Sequence, residues 1–151
     1  MLEFVPKFAG FRDKVRRSFS NQPAMATLGV ELFLVEPGRV ELRMPRNREF
    51  SQQHGFVHAG ILSTVLDSAC GYAAFSLMEE KAEVLTVEFK VNLMAPADGE
   101  AFVFAGEVVK PGRTLTFVEG AAYALKGDDR RKIATMSATM MAIVDRAGIN
   151  T

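Results

Sequence analysis

The sequence contains little cysteine and no excess of charge of either sign. Its 151 residues include one cysteine, Cys70, so no disulfide can form within the chain and a cysteine cluster for a metal is excluded. The 18 basic residues are balanced by 18 acidic ones. That balance argues against a nucleic-acid partner, because phosphate recognition needs a basic surface. A reducing compartment is expected, and with it a cytoplasmic location.

The first ten residues lack the apolar run and the small-residue cleavage site of a signal peptide. Internal repeats and low-complexity tracts are also absent, and the length suits one domain. Only residues 61–78 form a long apolar run. Its many small residues and the acid at its midpoint, Asp67, argue against a membrane span, because a charge in lipid costs several kcal/mol.

Residues 61–78 predict a helix of about five turns, interrupted by no proline. It is apolar nearly all round, so the rest of the domain must enclose it. Asp67 is its only charged residue. Buried acids are rare unless they are paired, and they cluster at functional sites. Asp67 is therefore a candidate functional residue, and a purely structural polar network is the alternative.

Two shorter helices are predicted before this stretch. Residues 7–20 place phenylalanines and a valine at near-helical spacing, with basic residues mostly on other faces. Packing of this helix on the domain is favoured over binding to a membrane surface or a partner. A second short helix begins at Pro23 and stops near Gly29.

Elsewhere the apolar residues alternate with a period of two. A hairpin is predicted over residues 30–44, and four longer strands follow the central helix. These four strands are expected at 84–93, 101–109, 114–125 and 132–144. Glu88 and Lys90 are expected to face outward. The order of elements predicts an α+β fold, with a curved antiparallel β-sheet wrapped around one long central helix.

One stripe of the central helix carries Gly60, Thr64, Asp67 and Gly71. Free N–H groups in the first helical turn, together with the helix dipole, can hold a developing oxyanion. A carboxylate can activate water or attack an acyl group itself. Seven residues of helix span roughly 10 Å, so Asp67 cannot reach a carbonyl held at its own helix start. We therefore expect a site shared across a dimer interface.

The other candidate nucleophiles and bases are less specific. His58 either orients the loop, binds substrate or caps the helix end, and His54 is expected to be a loop residue. No feature marks Cys70 as an activated nucleophile.

At these residues the chain resembles the hotdog-fold acyl-CoA thioesterases of the PaaI (phenylacetate-pathway) type. Gln52 precedes His58 by six residues, Ala59-Gly60 stands where the family has Gly-Gly, and Asp67 follows within the helix. Segments 86–97 and 109–115 also match family-like patterns, so the similarity covers about residues 25–145.

The resemblance implies a hotdog fold that forms homodimers, often dimers of dimers, and hydrolyses acyl-CoA. Asp67 would be the catalytic carboxylate, as general base or nucleophile. The N–H of Ala59, with Gly60 beside it, would polarise a carbonyl held against the other subunit. Gln52 would hydrogen-bond near that carbonyl or orient the water.

The resemblance also implies supporting roles for other residues. His58 would support the loop, Thr86 would position water, and Gly112 with Arg113 would meet the CoA phosphates. No cofactor is implied, since coenzyme A is part of the substrate, and neither nucleic acid nor a membrane is expected as a partner. Ala59 replaces a glycine, and Gly71 stands where some members carry an assisting hydroxyl.

We therefore expect an N-terminal helical extension (1–24), a hotdog thioesterase domain (25–145) and a tail (146–151). The expected function is hydrolysis of an aryl- or medium-chain acyl-CoA. A non-catalytic acyl-CoA-binding hotdog protein is the alternative. A hotdog hydratase would need a His–acid pair, which the nine-residue gap from His58 to Asp67 does not supply within one helix.

Overall fold

The computed structural model describes residues 3–149 and contains the predicted order of helices and strands. The elements are α1 (Phe11–Ser20), α2 (Pro23–Leu28), β1 (Glu31–Glu36), β2 (Arg39–Pro45), α3 (Ala59–Phe75), β3 (Ala82–Leu93), β4 (Ala101–Lys110), β5 (Leu115–Lys126) and β6 (Asp129–Val144). A 3₁₀ turn, Arg48–Phe50, precedes the loop into α3. The predicted strands are confirmed, with ends displaced by up to three residues.

The six strands form one antiparallel sheet in the order β1-β2-β4-β5-β6-β3. The chain leaves α3 at the far edge of the sheet, so β3 is an edge strand although it lies in the middle of the sequence. The sheet curves around α3, which packs against β2, β3, β4, β5 and β6. The predicted α+β architecture, a curved sheet around one central helix, is therefore confirmed.

The central helix spans Ala59–Phe75, whereas the sequence predicted 61–78. It begins earlier because the Nδ1 of His58 accepts a hydrogen bond from the N–H of Gly60 at 2.9 Å, which caps the first turn. It ends earlier at Ser76, whose hydroxyl donates to a carbonyl of the last turn at 2.7 Å. Both corrections arise from side-chain hydrogen bonds that an apolar pattern does not encode.

Two glycines allow α3 to lie directly on the sheet. A Cβ at Gly106 of β4 would collide with the backbone carbonyl of Ala69, and one at Gly120 of β5 would lie 2.8 Å from the Sγ of Cys70. A third glycine, Gly71, lies on the other side of α3, where an added Cβ meets nothing within 4 Å. Close packing of α3 on the sheet therefore requires glycine at positions 106 and 120 but not at position 71.

Alanine substitutions at Gly106 and Gly71 are expected to change stability in opposite directions. Gly106→Ala should lower the free energy of unfolding by about 1–3 kcal/mol, because the helix backbone must move away from the sheet. Gly71→Ala should raise it by up to about 1 kcal/mol, because alanine favours helix and nothing obstructs its methyl group. Urea denaturation at one protein concentration measures both. Equal shifts in one direction would contradict this packing.

The two N-terminal helices pack into the same core as the sheet and α3. Phe11 and Val15 of α1 and Met25 and Leu28 of α2 are buried there, which confirms packing on the domain. Lys14 donates from Nζ to two backbone carbonyls just after α3 and at the start of β3, at 2.6 and 2.8 Å.

The division into an extension, a domain and a tail stays a prediction, and residues 150 and 151 of the expected tail lie outside the described part of the chain. Within residues 3–149, no helix has the length and apolar character needed to span a membrane.

Candidate active site

Asp67 and Thr86 meet where α3 packs on the edge strand β3. The Oγ1 of Thr86 donates a hydrogen bond of 2.8 Å to the Oδ1 of Asp67. Burial raises the pKa of Asp67 above its usual value, and the Thr86 hydrogen bond opposes that rise by stabilising the ionised form. The result is a half-buried carboxylate whose pKa is shifted toward the range useful for a general base.

Thr86 reaches Asp67 because β3 contains a β-bulge. Thr86 pairs with Met140 of β6, yet Glu88 pairs with the next residue back, Thr139, so Val87 is the extra residue. The bulge changes the alternation of side chains between the two faces of the sheet. Thr86 consequently faces the helix while Glu88 and Lys90 face outward, which regular alternation would not permit.

The first turn of α3 presents one free backbone donor. The N–H of Gly60 is occupied by the Nδ1 of His58. The N–H of Ala59, the first helical residue, has no hydrogen-bond partner among residues 3–149. His58 therefore caps the helix, which was one of the alternatives left open, and Ala59 carries the donor predicted to polarise a carbonyl.

Gln52 is held in the loop before α3 by its own backbone neighbours. Its Oε1 accepts hydrogen bonds from the N–H groups of His54 and Phe56, at 2.5 and 3.3 Å. The amide oxygen is thus occupied, and the Nε2 donor makes no hydrogen bond within residues 3–149. Gln52 and Ala59 line one cavity of about 420 Å³, whose apolar walls include Met94. Two residues that each carry a donor without a partner in the described chain therefore line the same cavity.

The carboxylate lies in a different cavity. Asp67 and Thr86 line a space of about 310 Å³, which shares no lining residue with the cavity at Gln52 and Ala59. A single chain therefore separates the predicted donors from the predicted base. This agrees with the helix-length argument, which placed Asp67 too far from its own helix start.

Gly112 and Arg113 lie elsewhere on the chain, in the loop between β4 and β5. They line a small cavity together with Ala74 near the end of α3, which is about 22 Å along the helix from Ala59. Gly112 has a structural reason to be glycine, because a Cβ would collide with the carbonyl oxygen of Leu115. The exposed Arg113 makes no ion pair within residues 3–149.

The remaining candidates have structural surroundings. Cys70 is fully buried, and burial, with the nearby charge of Asp67, raises the pKa of its thiol to about 12, so it is not an activated nucleophile. His54 is an exposed loop residue, as predicted. No group of three or more metal-ligating side chains occurs within the described residues 3–149.

Comparison with known proteins supplies the family. The model of the thioesterase superfamily matches residues 54–130, which is half of the chain and includes the start of α3, Asp67 and Thr86. The chain belongs to the thioesterase superfamily.

Solved and curated relatives agree with this assignment. A thioesterase family protein from Silicibacter pomeroyi is 64% identical, with a TM-score of 0.89 over 89% of this chain and 99% of that one. The PaaI protein of the Escherichia coli phenylacetic acid degradation operon has a TM-score of 0.80 over 88% of this chain and 93% of that one. It is 14% identical, so it shows the shared hotdog fold alone.

Two curated relatives match over a shorter length. A Saccharolobus solfataricus protein is 32% identical over 61% of this chain and 65% of its own length. Human acyl-coenzyme A thioesterase 13 is 30% identical over 58% of this chain and 63% of its own length. The chain thus covers slightly less than two thirds of these relatives. The resemblance to hotdog thioesterases of the PaaI type is confirmed.

Several residues beside Asp67 in this thioesterase-superfamily chain were not predicted. Ser18, Gln22 and Tyr72 line the same cavity as the carboxylate. Ser18 and Gln22 lie more than 40 residues before Asp67 and belong to the N-terminal helical segment. No sequence motif connects distant polar residues of this kind, so only the packing of α1 and α2 identifies them.

Proposed function

We propose that the protein is an acyl-CoA thioesterase that hydrolyses an aryl- or medium-chain acyl-CoA at a homodimer interface. The observation that carries the proposal is the half-buried Asp67, hydrogen-bonded to Thr86 and facing a cavity large enough for a small acyl group. Family membership supports thioester hydrolysis as the reaction, and the relative named acyl-coenzyme A thioesterase 13 supports CoA as the leaving group.

The exposed edge of the sheet supports a dimer. Among residues 3–149 the twelve-residue strand β3 has no neighbouring strand on its outer side, and Leu85, Val87 and Phe89 are 41%, 51% and 45% exposed along it. Long apolar edge strands are sites of pairing with another chain. Two-fold pairing of β3 with its copy would run the two central helices antiparallel, bringing the start of one beside the later turns of the other.

We place the contact between dimers on the outer face of the sheet. Val109 of β4 and Leu115 and Phe117 of β5 are 44%, 39% and 47% exposed, and a second dimer would cover them. A homotetramer built as a dimer of dimers follows from this arrangement.

Within such a dimer the two separated halves form one site. The Ala59 N–H and the Gln52 Nε2 of one subunit would bind the thioester oxygen, beside Asp67 of the other. Asp67 as a base takes a proton from water, the hydroxyl oxygen bonds to the carbonyl carbon, and the C–S bond breaks as the thiolate leaves with a proton. As a nucleophile, Asp67 would bond to the carbonyl carbon and expel the CoA thiolate, and water would then cleave the resulting anhydride to release the acid and restore Asp67.

The proposal requires no cofactor, because coenzyme A enters as part of the substrate. Its partners are the acyl-CoA and further copies of the chain, with neither nucleic acid nor a membrane involved. Arg113, exposed and without an ion pair in the described chain, is the proposed contact for CoA phosphates. The proposed location is the cytoplasm, where a single buried thiol is compatible with reducing conditions.

Release of free thiol from a panel of acyl-CoAs tests the proposed function. The panel runs from acetyl-CoA to decanoyl-CoA and includes phenylacetyl-CoA and benzoyl-CoA. Turnover that concentrates on aryl- or medium-chain members supports the proposal. Binding of these compounds without any thiol release would contradict it and would indicate an acyl-CoA-binding protein.

Removal of the Thr86 hydroxyl is expected to change the pH dependence of hydrolysis. Thr86→Val deletes the hydrogen bond that favours ionised Asp67, so the pKa of Asp67 should rise further. The acid limb of the pH profile of kcat/KM should therefore move to higher pH, since Asp67 must be ionised to act as a base. Thr86→Ser keeps the hydroxyl and should leave the limb in place. A limb that stays unchanged in Thr86→Val would contradict the assignment.

A further inference from the structure

The N-terminal helices contribute a wall to the cavity that contains Asp67. Ser18 of α1 and Gln22, just before α2, line this space of about 310 Å³ together with Asp67 and Thr86. The cavity is near the lower end of the range for small-molecule sites, about 300–1,000 Å³. Gly71 keeps it open, because no side chain projects there from the adjoining turn of α3. A small group placed beside Asp67 would therefore contact the N-terminal helices.

Two hydrogen bonds hold this wall against α3. The Oγ of Ser68 donates to the Oε1 of Gln22 at 3.1 Å. The Oγ of Ser18 and the phenol oxygen of Tyr72 lie 3.2 Å apart in a hydrogen bond. Ser18 and Tyr72 are 8% and 6% exposed, so this hydroxyl pair is almost completely removed from solvent. The positions of these polar groups are therefore set by packing.

The cavity wall carries hydrogen-bond donors that no described residue uses. The oxygen of the Gln22 amide is occupied by Ser68, which leaves its Nε2 hydrogens without a partner among residues 3–149. Ser18 and Tyr72 have two hydroxyl hydrogens but share one hydrogen bond, so one hydrogen has no partner among residues 3–149. The half-buried Gln22 amide and the buried Ser18–Tyr72 pair can therefore donate to a ligand that replaces water in the cavity. Ser18, Gln22 and Tyr72 therefore favour a neutral group that accepts hydrogen bonds, while the carboxylates of Asp67 and Glu83 in the same lining disfavour an anionic one.

We propose that the N-terminal helices form the far end of the acyl pocket and select acyl groups bearing a hydrogen-bond acceptor there. The matching chemical class is a medium-chain acyl group with an oxygen, such as a ketone, distal to the thioester. Gln22 and Tyr72 are the specificity-determining residues. This inference rests on the proposed thioesterase function, and it narrows that function from aryl- or medium-chain groups in general to those with a polar end.

Matched substrates test the inference. Hexanoyl-CoA and 5-oxohexanoyl-CoA have the same chain length and differ in a single carbonyl oxygen. The native protein should prefer the oxo compound by about tenfold in kcat/KM, the scale of one net hydrogen bond. In the double variant Gln22→Leu/Tyr72→Phe this ratio should fall close to one. Using the ratio within each protein removes effects on folding or on overall activity.

Thr27→Leu is the matched control. It adds an apolar side chain to an exposed position of α2 that does not line the cavity, so the ratio should stay at the native value. A native ratio near one, or a preference that survives in the double variant, would overturn the inference. If neither compound is hydrolysed, the proposed function fails separately. In that case calorimetry compares the Kd values of the two compounds. The native protein should bind the oxo compound about tenfold more tightly, and equal Kd values, or a preference that survives in the double variant, would overturn the inference.

Discussion

Replacing Ala59 by proline is expected to lower kcat for acyl-CoA hydrolysis by about 10²–10³, the scale measured when an oxyanion donor is lost. The substitution removes the N–H of Ala59, which has no partner in the described chain and belongs to a residue that lines the cavity. Proline is well tolerated at the first helical position. His58, which precedes it, has φ −59° and ψ 135°, a conformation compatible with a following proline.

The control for this substitution is Ala59→Gly, which keeps the N–H and should keep kcat. Thermal unfolding of both variants establishes whether α3 remains folded. If Ala59→Pro is stable and retains kcat within about threefold of the native protein, the backbone donor has no part in the reaction and the proposed oxyanion site is wrong.

Asp67→Asn is expected to lower kcat/KM by at least about a hundredfold, the scale of losing a general base. The amide has almost the shape of the carboxylate and can still accept from Thr86, so the cavity should persist while proton abstraction is lost. Substrate binding should be largely retained, because the neutral amide replaces a charge that the acyl group does not need. Thiol release together with calorimetry separates the two effects.

Asp128→Asn changes the charge by the same amount in the exposed turn between β5 and β6, away from both cavities, and should keep full activity. Full activity in Asp67→Asn would contradict the thioesterase mechanism. Asp67 would then have only a structural role, through its hydrogen bond with Thr86. That role is the polar-network alternative given by the sequence analysis.

The architecture could be predicted from sequence because its strongest signals are local. The apolar run around Asp67 indicated an enclosed helix, and the period of two on either side indicated the strands. The helix ends were less accurate, since they depend on the hydrogen bonds of His58 and Ser76. The order of strands was not predicted, because the position of β3 at the sheet edge depends on contacts between distant segments.

The site was predictable to the extent that its residues follow one helix. Asp67 and Ala59 lie on α3, so their separation followed from helix geometry, and that separation led to the expected dimer. Thr86 was predicted from the family resemblance. That its side chain faces α3 depends on the bulge at Val87, because regular alternation would place Thr86 on the same outward face as Glu88. Gln22 was missed altogether, because only tertiary packing brings it to the cavity of Asp67.

Activity of a mixed dimer tests most directly whether the site is shared between subunits. Subunits carrying Ala59→Pro and subunits carrying Asp67→Asn are produced together with different tags, and the heterodimer is purified through both. If each site combines the donor of one subunit with the carboxylate of the other, one of the two sites is intact, so the heterodimer should recover about half of native activity. If each site lies within one chain, neither site is intact. Activity as low as that of the two parent variants would contradict the shared site.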